Sequence, residues 1–286
     1  MKKVILSSNP YRDKNFKVLR QAKQLLESSG VECTVCLVFE VEQKSDLPRD
    51  LSFTDLDEAL RDSELLICFG GDGTVLHASK AATKAGLPVL GVNIGNMGYL
   101  AEVDSNELGI LTRLVSDDYY LERRMMLQVC VERDGQVIFD DIALNDAVVT
   151  KSAVARTVHL SVSCNEQHPI VLSGDGVIVC TPTGSTAYCM SAGGPLVEPT
   201  ARCIVVTPIC SHDLMSKSFV LDAGRTVSIR SARPGKKTAY LSLDGGRAIR
   251  LLNGDTVKVR QSPFDTQFLH LRDRSMFEII NAKFRK

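Results

Sequence analysis

The sequence lacks a long hydrophobic run and an excess of charge of either sign. The sequence turns polar after only Val4, Ile5 and Leu6, and this apolar stretch is too short for a signal peptide. No run in the sequence reaches the ~18–20 apolar residues needed to cross a bilayer. Thirty-four Lys and Arg balance thirty-four Asp and Glu, so the chain has no broad positive field like that of a nucleic-acid binder. We therefore expect a cytoplasmic protein with no nucleic-acid or membrane partner.

The cysteines show neither a disulfide framework nor metal-ligand spacing. There are nine, an odd number, and most lie inside apolar runs, as reduced cysteines in a cytosolic protein do. Cys33 and Cys36 have no second cysteine pair or histidine pair nearby, and the histidines lack the spacing of a zinc site. We predict no metal-binding side chains.

A length of 286 residues favours two domains at roughly 150 residues each. In residues 1–118, short apolar runs alternate with longer amphipathic segments, which is typical of βαβ units and a parallel sheet. From 119 to 286, strand-length segments and turns predominate, including an Asp134-Gly135 hairpin signal. The predicted fold is a Rossmann-like α/β domain followed by a mostly β domain, with the active site expected in a cleft between them.

Hydrophobic periodicity and end signals place the individual elements. In the first domain they predict strands over 3–8, 31–39, 64–70 and 87–93 and helices over 14–29, 55–62 and 75–85. In the second domain only two stretches are predicted to be helical, 184–192 and 212–217.

The sharpest local signal is the segment Gly70-Gly71-Asp72-Gly73-Thr74, between a buried strand and a helix. Its glycines let the backbone adopt positive φ and approach a ligand, and the helix N-terminus offers free N–H groups to a phosphate. A tight turn would need one of these glycines for steric reasons alone. The Asp72 carboxylate indicates which kind of site this is. A carboxylate beside phosphates is repelled by them unless it binds Mg²⁺ or accepts a proton from an attacking hydroxyl. Either role indicates phosphoryl transfer to an alcohol.

Two further clusters carry polar side chains next to apolar strands. The segment 181–188, Thr-Pro-Thr-Gly-Ser-Thr-Ala-Tyr, holds five hydroxyls suited to ribose, phosphate and adenine edges. Asn145 and Asp146 interrupt an apolar stretch, where they are costly without partners. The alternatives are an N-capped short helix for the first cluster and a turn at a strand end for the second.

The sequence resembles the NAD kinase family, whose members phosphorylate the 2′-hydroxyl of the adenosine ribose of NAD. The segments that carry the resemblance occur in that family's order: GGDGT at 70–74, LNDAVV at 144–149, SGDGVIVCTPTGSTAY at 173–188 and SAGGP at 191–195. GGDGT alone is not specific, since lipid kinases and phosphofructokinases have similar loops. TPTGSTAY followed by AGGP is close to diagnostic.

The resemblance implies a role for each matched residue. Asp72 would be the catalytic residue, acting as general base or orienting group at the 2′-hydroxyl. Gly70, Gly71, Gly73 and Thr74 would bind the ATP phosphates. The NAD-binding residues would be Asp72, Gly73, Asn145, Asp146, Asp175, Thr183, Thr186, Ala187 and Tyr188. Among them, Asn145 and Asp146 would hold the nicotinamide-side ribose, and those from Thr183 to Tyr188 would line the adenosine part.

The resemblance also implies partners and a chain path. ATP would bind with Mg²⁺ or another divalent cation, and Asp175 would complete the adenine pocket of a neighbouring subunit, which implies a homodimer or homotetramer. The last ~20 residues would return to the first domain. In the family Glu is usual at the position of Asp146, and losing one methylene withdraws the carboxylate by up to ~1.5 Å.

Two other functions fit parts of the sequence. A GGDGT-type kinase acting on a lipid or sugar hydroxyl would need an apolar acceptor groove or a membrane-facing patch. A dinucleotide sensor without catalysis would have no need of a carboxylate beside the phosphates.

Overall fold

The chain divides into two units, each with its own hydrophobic core. The computed structural model describes residues 1–38, 47–95, 98–151, 157–212, 217–232 and 239–284, with side chains up to residue 281. One unit comprises Met1–Arg123 and Thr266–Lys286, and the other comprises Arg124–Asp265. The elements confirm the predicted fold class, an α/β region followed by a β-rich one.

The first unit is built on a parallel sheet. Its strands are β1 (Lys3–Ser8), β2 (Glu32–Cys36), β3 (Leu65–Gly70), β4 (Val89–Asn93) and β5 (Val103–Asp104). They lie in the order β2-β1-β3-β4-β5, each parallel to its neighbours. The helices among them are α1 (Lys17–Ser28), α2 (Leu56–Asp62) and α3 (Asp72–Ala85). Every residue of β3 is buried, as expected of a central strand covered on both faces.

Helix α1 begins later than its periodicity predicts, because a buried side chain caps it. A 3₁₀ turn occupies Lys14–Phe16. The Asp13 carboxylate then accepts hydrogen bonds from the N–H groups of Val18 and Leu19, at 2.9 and 3.0 Å. These bonds satisfy helix donors that have no intrahelical partner. Gly30, at φ +86°, follows the C-terminus of the helix as predicted.

The second unit consists mainly of antiparallel strands. The strands that follow β5 are β6 (Tyr120–Arg133), β7 (Gln136–Ala143), β8 (Asp146–Lys151), β9 (Val158–Cys164), β10 (Ile170–Gly174), β11 (Gly176–Cys180), β12 (Cys203–Ile209), β13 (Phe219–Asp222), β14 (Val227–Ser231), β15 (Ala239–Leu243), β16 (Ile249–Leu251) and β17 (Thr256–His270). One sheet has the order β13-β12-β11-β8-β15-β16. The other contains β10-β9-β14-β17, with β6 paired to β7 and β17. Buried side chains of both sheets form one core.

In this unit the structure confirms a predicted hairpin and divides a predicted helix. Asp134 and Gly135 both have positive φ, 50° and 79°, and join β6 to β7 as the predicted hairpin. The helix predicted over 184–192 is instead two short pieces, a 3₁₀ turn at Thr183–Thr186 and helix α4 (Tyr188–Ser191). Ala187 separates them because its backbone, at φ −98° and ψ −130°, is not helical.

The last part of the chain belongs to the first unit. The end of β17 pairs in parallel with β4 through Phe268 and Val89, and helix α5 (Met276–Phe284) follows. Most of the helix predicted over 212–217 lies outside the described residues. Among the described helices, none is both long and apolar enough to cross a membrane.

Candidate active site

The glycine-rich segment of the first unit lies where β3 ends and α3 begins. Gly70 is the last residue of β3, Gly71 caps α3 with extended backbone (φ −107°, ψ −173°), and Asp72 is the first helical residue. The helix therefore starts earlier than the predicted residue 75. In the described chain no partner is found for the N–H groups of Asp72 and Gly73, which precede the first intrahelical bond. Such groups suit an anion.

The prediction that these glycines provide positive φ is wrong, since none of the three has it. Close packing explains Gly70, where a Cβ would lie 2.3 Å from Oγ1 of the buried Thr74. A Cβ at Gly71 would lie 2.8 Å from Nη1 of Arg12, which is the end of a flexible, exposed side chain that can move away. A Cβ at Gly73 would meet nothing within 4 Å. The absence of a side chain at Gly73 leaves the first turn of α3 uncovered.

The Asp72 carboxylate is held by backbone amides of the same unit. Its Oδ2 accepts a hydrogen bond from the N–H of Tyr99 at 2.9 Å, and its Oδ1 accepts one from the N–H of Leu100 at 3.1 Å. A Cβ at Gly98 would lie 1.8 Å from Oδ1, so only glycine lets the carboxylate sit there. Each carboxylate oxygen keeps a lone pair for a further proton or hydrogen bond.

Beside the glycine-rich segment, the polar group of Thr74 is buried and that of Arg12 is exposed. The Thr74 side chain is buried, its Oγ1 accepts a hydrogen bond from Asn9 at 3.3 Å, and its N–H bonds the carbonyl of Gly71. Arg12 is exposed and lies against the peptide of Gly71, with Nη1 3.4 Å from the carbonyl oxygen of Ile94. The motif analysis missed Arg12 because it precedes the glycine-rich segment by about 60 residues.

In the second unit, strand pairing brings two of the predicted clusters together. Strands β8 and β11 are antiparallel, with Asp146 opposite Cys180, so Asn145 and Thr181 are adjacent at the strand ends. Thr181 donates its N–H to the carbonyl of Asn145 at 2.9 Å, and its hydroxyl donates to the carbonyl of Leu144 at 2.5 Å. A Cβ at Gly184 would lie 2.1 Å from the Asn145 carbonyl oxygen. The two segments form a single packed corner.

The hydroxyls of this corner divide into those with internal partners and those without. Three hydroxyls have internal partners. The Thr181 hydroxyl bonds the carbonyl of Leu144, the Ser185 hydroxyl bonds the backbone of Val197, and the Thr186 hydroxyl donates to the carbonyl of Thr183 at 3.2 Å. The side-chain oxygens of Asn145 (Oδ1) and Thr183 (Oγ1) are buried, with no hydrogen-bond partner in the described chain. Buried polar atoms without a partner are uncommon in folded proteins. These two are therefore candidates for binding a ligand.

Asp146 is buried at 5% exposure beside these atoms. Burial, then the charge of Asp244, then the nearby Cys189 raise its pKa from the ordinary 3.8 to about 7. Tyr188, in contrast, is 44% exposed. The Asp175 carboxylate forms an ion pair with Nζ of Lys151 at 2.6 Å.

Comparison with known proteins gives this arrangement its family. Residues 4–120 match the model of the ATP-NAD kinase N-terminal domain, and residues 144–271 match that of the ATP-NAD kinase C-terminal domain. An NAD kinase from Acetivibrio thermocellus is 35% identical over 286 residues, covering 99% of this chain and 97% of the relative. The chain belongs to the NAD kinase family.

Solved structures show the same fold in the family. Yeast NADH kinase complexed with NADH has a TM-score of 0.84 at 24% identity, over 98% of this chain and 86% of the yeast chain. An NAD kinase from Archaeoglobus fulgidus in complex with ATP has a TM-score of 0.72 at 22% identity, over 99% of each chain. Nothing in the comparisons supports the lipid kinase, sugar kinase or sensor hypotheses.

Family membership directs attention to the acidic side chains. Within the described residues, no group of three or more His, Cys, Asp or Glu side chains could hold a metal ion. The acidic residue at the start of α3 is Asp72, and both of its oxygens already accept backbone hydrogen bonds. Mg²⁺ in kinase sites is commonly held by one or two carboxylates together with the substrate phosphates.

Proposed function

We propose that the protein transfers the γ-phosphoryl group of ATP to the 2′-hydroxyl of the adenosine ribose of NAD, giving NADP and ADP. The 2′-oxygen attacks the γ-phosphorus, the bond from that phosphorus to the bridging oxygen of ADP breaks, and the hydroxyl proton passes to the Asp72 carboxylate. The observation that carries this proposal is the Asp72 carboxylate, fixed by the amides of Tyr99 and Leu100 at the start of α3. A carboxylate held in place is suited to act as general base.

We assign the ATP phosphates to Gly70, Gly71 and Gly73 on the same segment. The N–H groups of Asp72 and Gly73 have no partner in the described residues, and the bare Gly73 leaves room for a phosphate. Mg²⁺ would enter bound to the phosphates, with Asp72 as the adjacent carboxylate, and would neutralise their charge. The buried hydroxyl of Thr74 supports the turn, and the exposed guanidinium of Arg12 adds a positive charge next to Gly71.

We assign the nicotinamide-side ribose and the adenosine of NAD to the corner of the second unit. The unpartnered oxygen of Asn145 and the Asp146 carboxylate would accept hydrogen bonds from the cis-diol of the nicotinamide-side ribose, and the unpartnered oxygen of Thr183 would bond the adenosine part. Thr186 and Ala187 would line the adenosine, and the exposed ring of Tyr188 would stack on a base. These contacts, which need particular hydroxyls, would make the enzyme reject analogues that lack them.

We also propose a homo-oligomer, a dimer or tetramer, in which Asp175 serves the adenine pocket of a neighbouring copy. Its carboxylate is held by Lys151 at 2.6 Å, which leaves one oxygen for an adenine amino group. The proposed location is the cytoplasm, because all nine cysteines are free, as is usual in reducing compartments.

The acceptor assay tests this function directly. The purified protein is incubated with ATP, Mg²⁺ and NAD, and product is measured with a dehydrogenase that accepts only NADP. Parallel reactions contain a diacylglycerol or a hexose instead of NAD, and one lacks Mg²⁺. Formation of NADP that requires Mg²⁺ supports the proposal, whereas ATP consumption with the lipid or the sugar alone contradicts it.

A further inference from the structure

Asp244 lies in a turn that is closed by a backbone hydrogen bond. It follows β15, and both Asp244 and Gly245 have positive φ, 50° and 70°. The turn is closed by the backbone bond from the N–H of Gly246 to the carbonyl of Leu243, at 2.8 Å. Asp-Gly is the usual pair at such turns, so the sequence alone suggests an ordinary hairpin connection.

The Asp244 carboxylate binds the backbone of the corner that carries Asn145 and Asp146. Strands β8 and β15 are antiparallel, with Ala147 opposite Leu243, so the residues before β8 face Asp244. Its Oδ2 accepts a hydrogen bond from the N–H of Leu144 at 2.8 Å. Its Oδ1 accepts from the N–H groups of Asn145 and Asp146, at 2.7 and 3.0 Å. Three successive amides are therefore held by one side chain.

The carbonyls of the same three residues are also occupied. Thr181 bonds the carbonyls of Leu144 and Asn145, as described above, and the N–H of Asp244 donates to the carbonyl of Asp146 at 3.0 Å. All the backbone polar groups of residues 144–146 thus have partners. The buried side-chain oxygen of Asn145, in contrast, has no partner among the described residues.

We propose that Asp244 is a positioning residue for NAD: its carboxylate fixes the backbone of residues 144–146 so that the side chains of Asn145 and Asp146 face the ribose. The inference rests on the proposed function of those two side chains. A carboxylate suits the role because both of its oxygens accept, and hydrogen bonds to a charged acceptor are stronger than neutral ones. An asparagine would keep one oxygen and turn an N–H donor toward another N–H.

The test compares Asp244→Ala and Asp244→Asn with the wild type in steady-state NADP formation. The expected result for D244A is a KM for NAD raised on the order of tenfold or more, since displacing a binding group by about 1 Å has effects of this size. The KM for ATP should stay within about twofold. D244N should lie between D244A and the wild type, because it keeps the oxygen that accepts from two of the three amides.

Asp255→Ala is the matched control. Asp255 is also buried in the second unit, where it accepts the N–H of Leu252 at 2.7 Å and pairs with Arg133. D255A should melt at a lower temperature yet keep the wild-type KM for NAD, which separates positioning from loss of stability.

Two results would overturn the inference, and they are distinguishable. If D146A raises the KM for NAD and folded D244A and D244N do not, Asp244 has no positioning role although the NAD site stands. If N145A and D146A both leave that KM unchanged while the wild type makes NADP, the assigned NAD site is wrong and the inference falls with it.

Discussion

The buried carboxyl group of Asp146 is predicted to make the folded protein less stable at pH 8 than at pH 5. The perturbation is Asp146→Asn, which keeps the shape of the side chain and removes its titration. Burial, with the charge of Asp244 and the nearby Cys189, raises the pKa of this carboxyl to about 7 in the folded protein, against an ordinary value of 3.8. Between these two values the folded state keeps a proton that the unfolded chain has released.

The sign and the size follow from proton linkage. Because the folded state binds more protons in this window, stability falls as pH rises, by about 1.36 kcal/mol per pH unit, and the loss stops above the folded pKa. From pH 5 to pH 8 about two units lie inside the window, so the wild type should lose about 2–3 kcal/mol from this group. D146N has nothing to titrate there and should not lose it.

Thermal unfolding at pH 5 and pH 8 measures the effect. For a unit of this size, about 1 kcal/mol corresponds to roughly 2–4 °C in Tm, so the Tm of D146N minus that of the wild type should rise by about 5–10 °C between the two pH values. At both pH values D146N should also have a higher KM for NAD, because its amide nitrogen cannot accept a ribose hydrogen bond.

Asp222→Asn is the control for removing a carboxylate. Asp222 is exposed at the end of β13, where it accepts the N–H of Gly224 at 2.9 Å. Its difference in Tm from the wild type should be nearly the same at pH 5 and pH 8. A D146N difference in Tm that is likewise unchanged, within about 0.5 kcal/mol when converted, would refute the reasoning.

Two further predictions concern the first unit. Gly98→Ala should lower kcat by roughly tenfold or more while the protein stays folded, because the new Cβ would lie 1.8 Å from Oδ1 of Asp72 and displace the carboxylate. NADP assays measure kcat, and circular dichroism checks the fold. A folded variant with the wild-type kcat would contradict this prediction. Burial lowers the pKa of His270, but hydrogen bonds and charges of Glu102 and Glu122 outweigh burial and raise it above 6.5. His270→Gln should therefore destabilise the protein more at pH 6 than at pH 9, since the charged imidazole stabilises the fold below about pH 6.5 and this contribution is lost as pH rises through the raised pKa. Urea unfolding at the two pH values measures it, and equal losses would argue against a charged His270.

Much of the fold is predictable because its signals are local. The buried strand over 65–70, the glycine after α1 and the Asp134-Gly135 hairpin all follow from residues next to one another in sequence. Where the ends of an element differ from the prediction, the cause is a residue outside the periodic segment or an irregular backbone within it. Asp13 caps α1 from outside its periodic segment, and the non-helical backbone of Ala187 splits a helix that the pattern predicts as one.

The candidate site shows the same division. The sequence motifs identify Asp72, Asn145 and Asp146 as side chains suited to the chemistry, and their assigned roles stay predictions. The groups that hold them are not visible in sequence, because they come from elsewhere in the chain: Gly98 leaves room for Asp72, and Asp244 reaches amides 98 to 100 residues away. A carboxylate in an Asp-Gly turn has an adequate local explanation, which conceals its second role.

The kcat of Asp72→Asn in NADP formation tests the central claim most directly. The asparagine can still accept a hydrogen bond from one of the two amides that hold Asp72, but it cannot take a proton from the 2′-hydroxyl. With ATP, Mg²⁺ and NAD saturating and the fold verified by circular dichroism, kcat should fall by about 10²-fold or more, the scale of a lost general base, with the KM for NAD little changed. A folded D72N enzyme with kcat close to that of the wild type would contradict the role of Asp72 in the reaction.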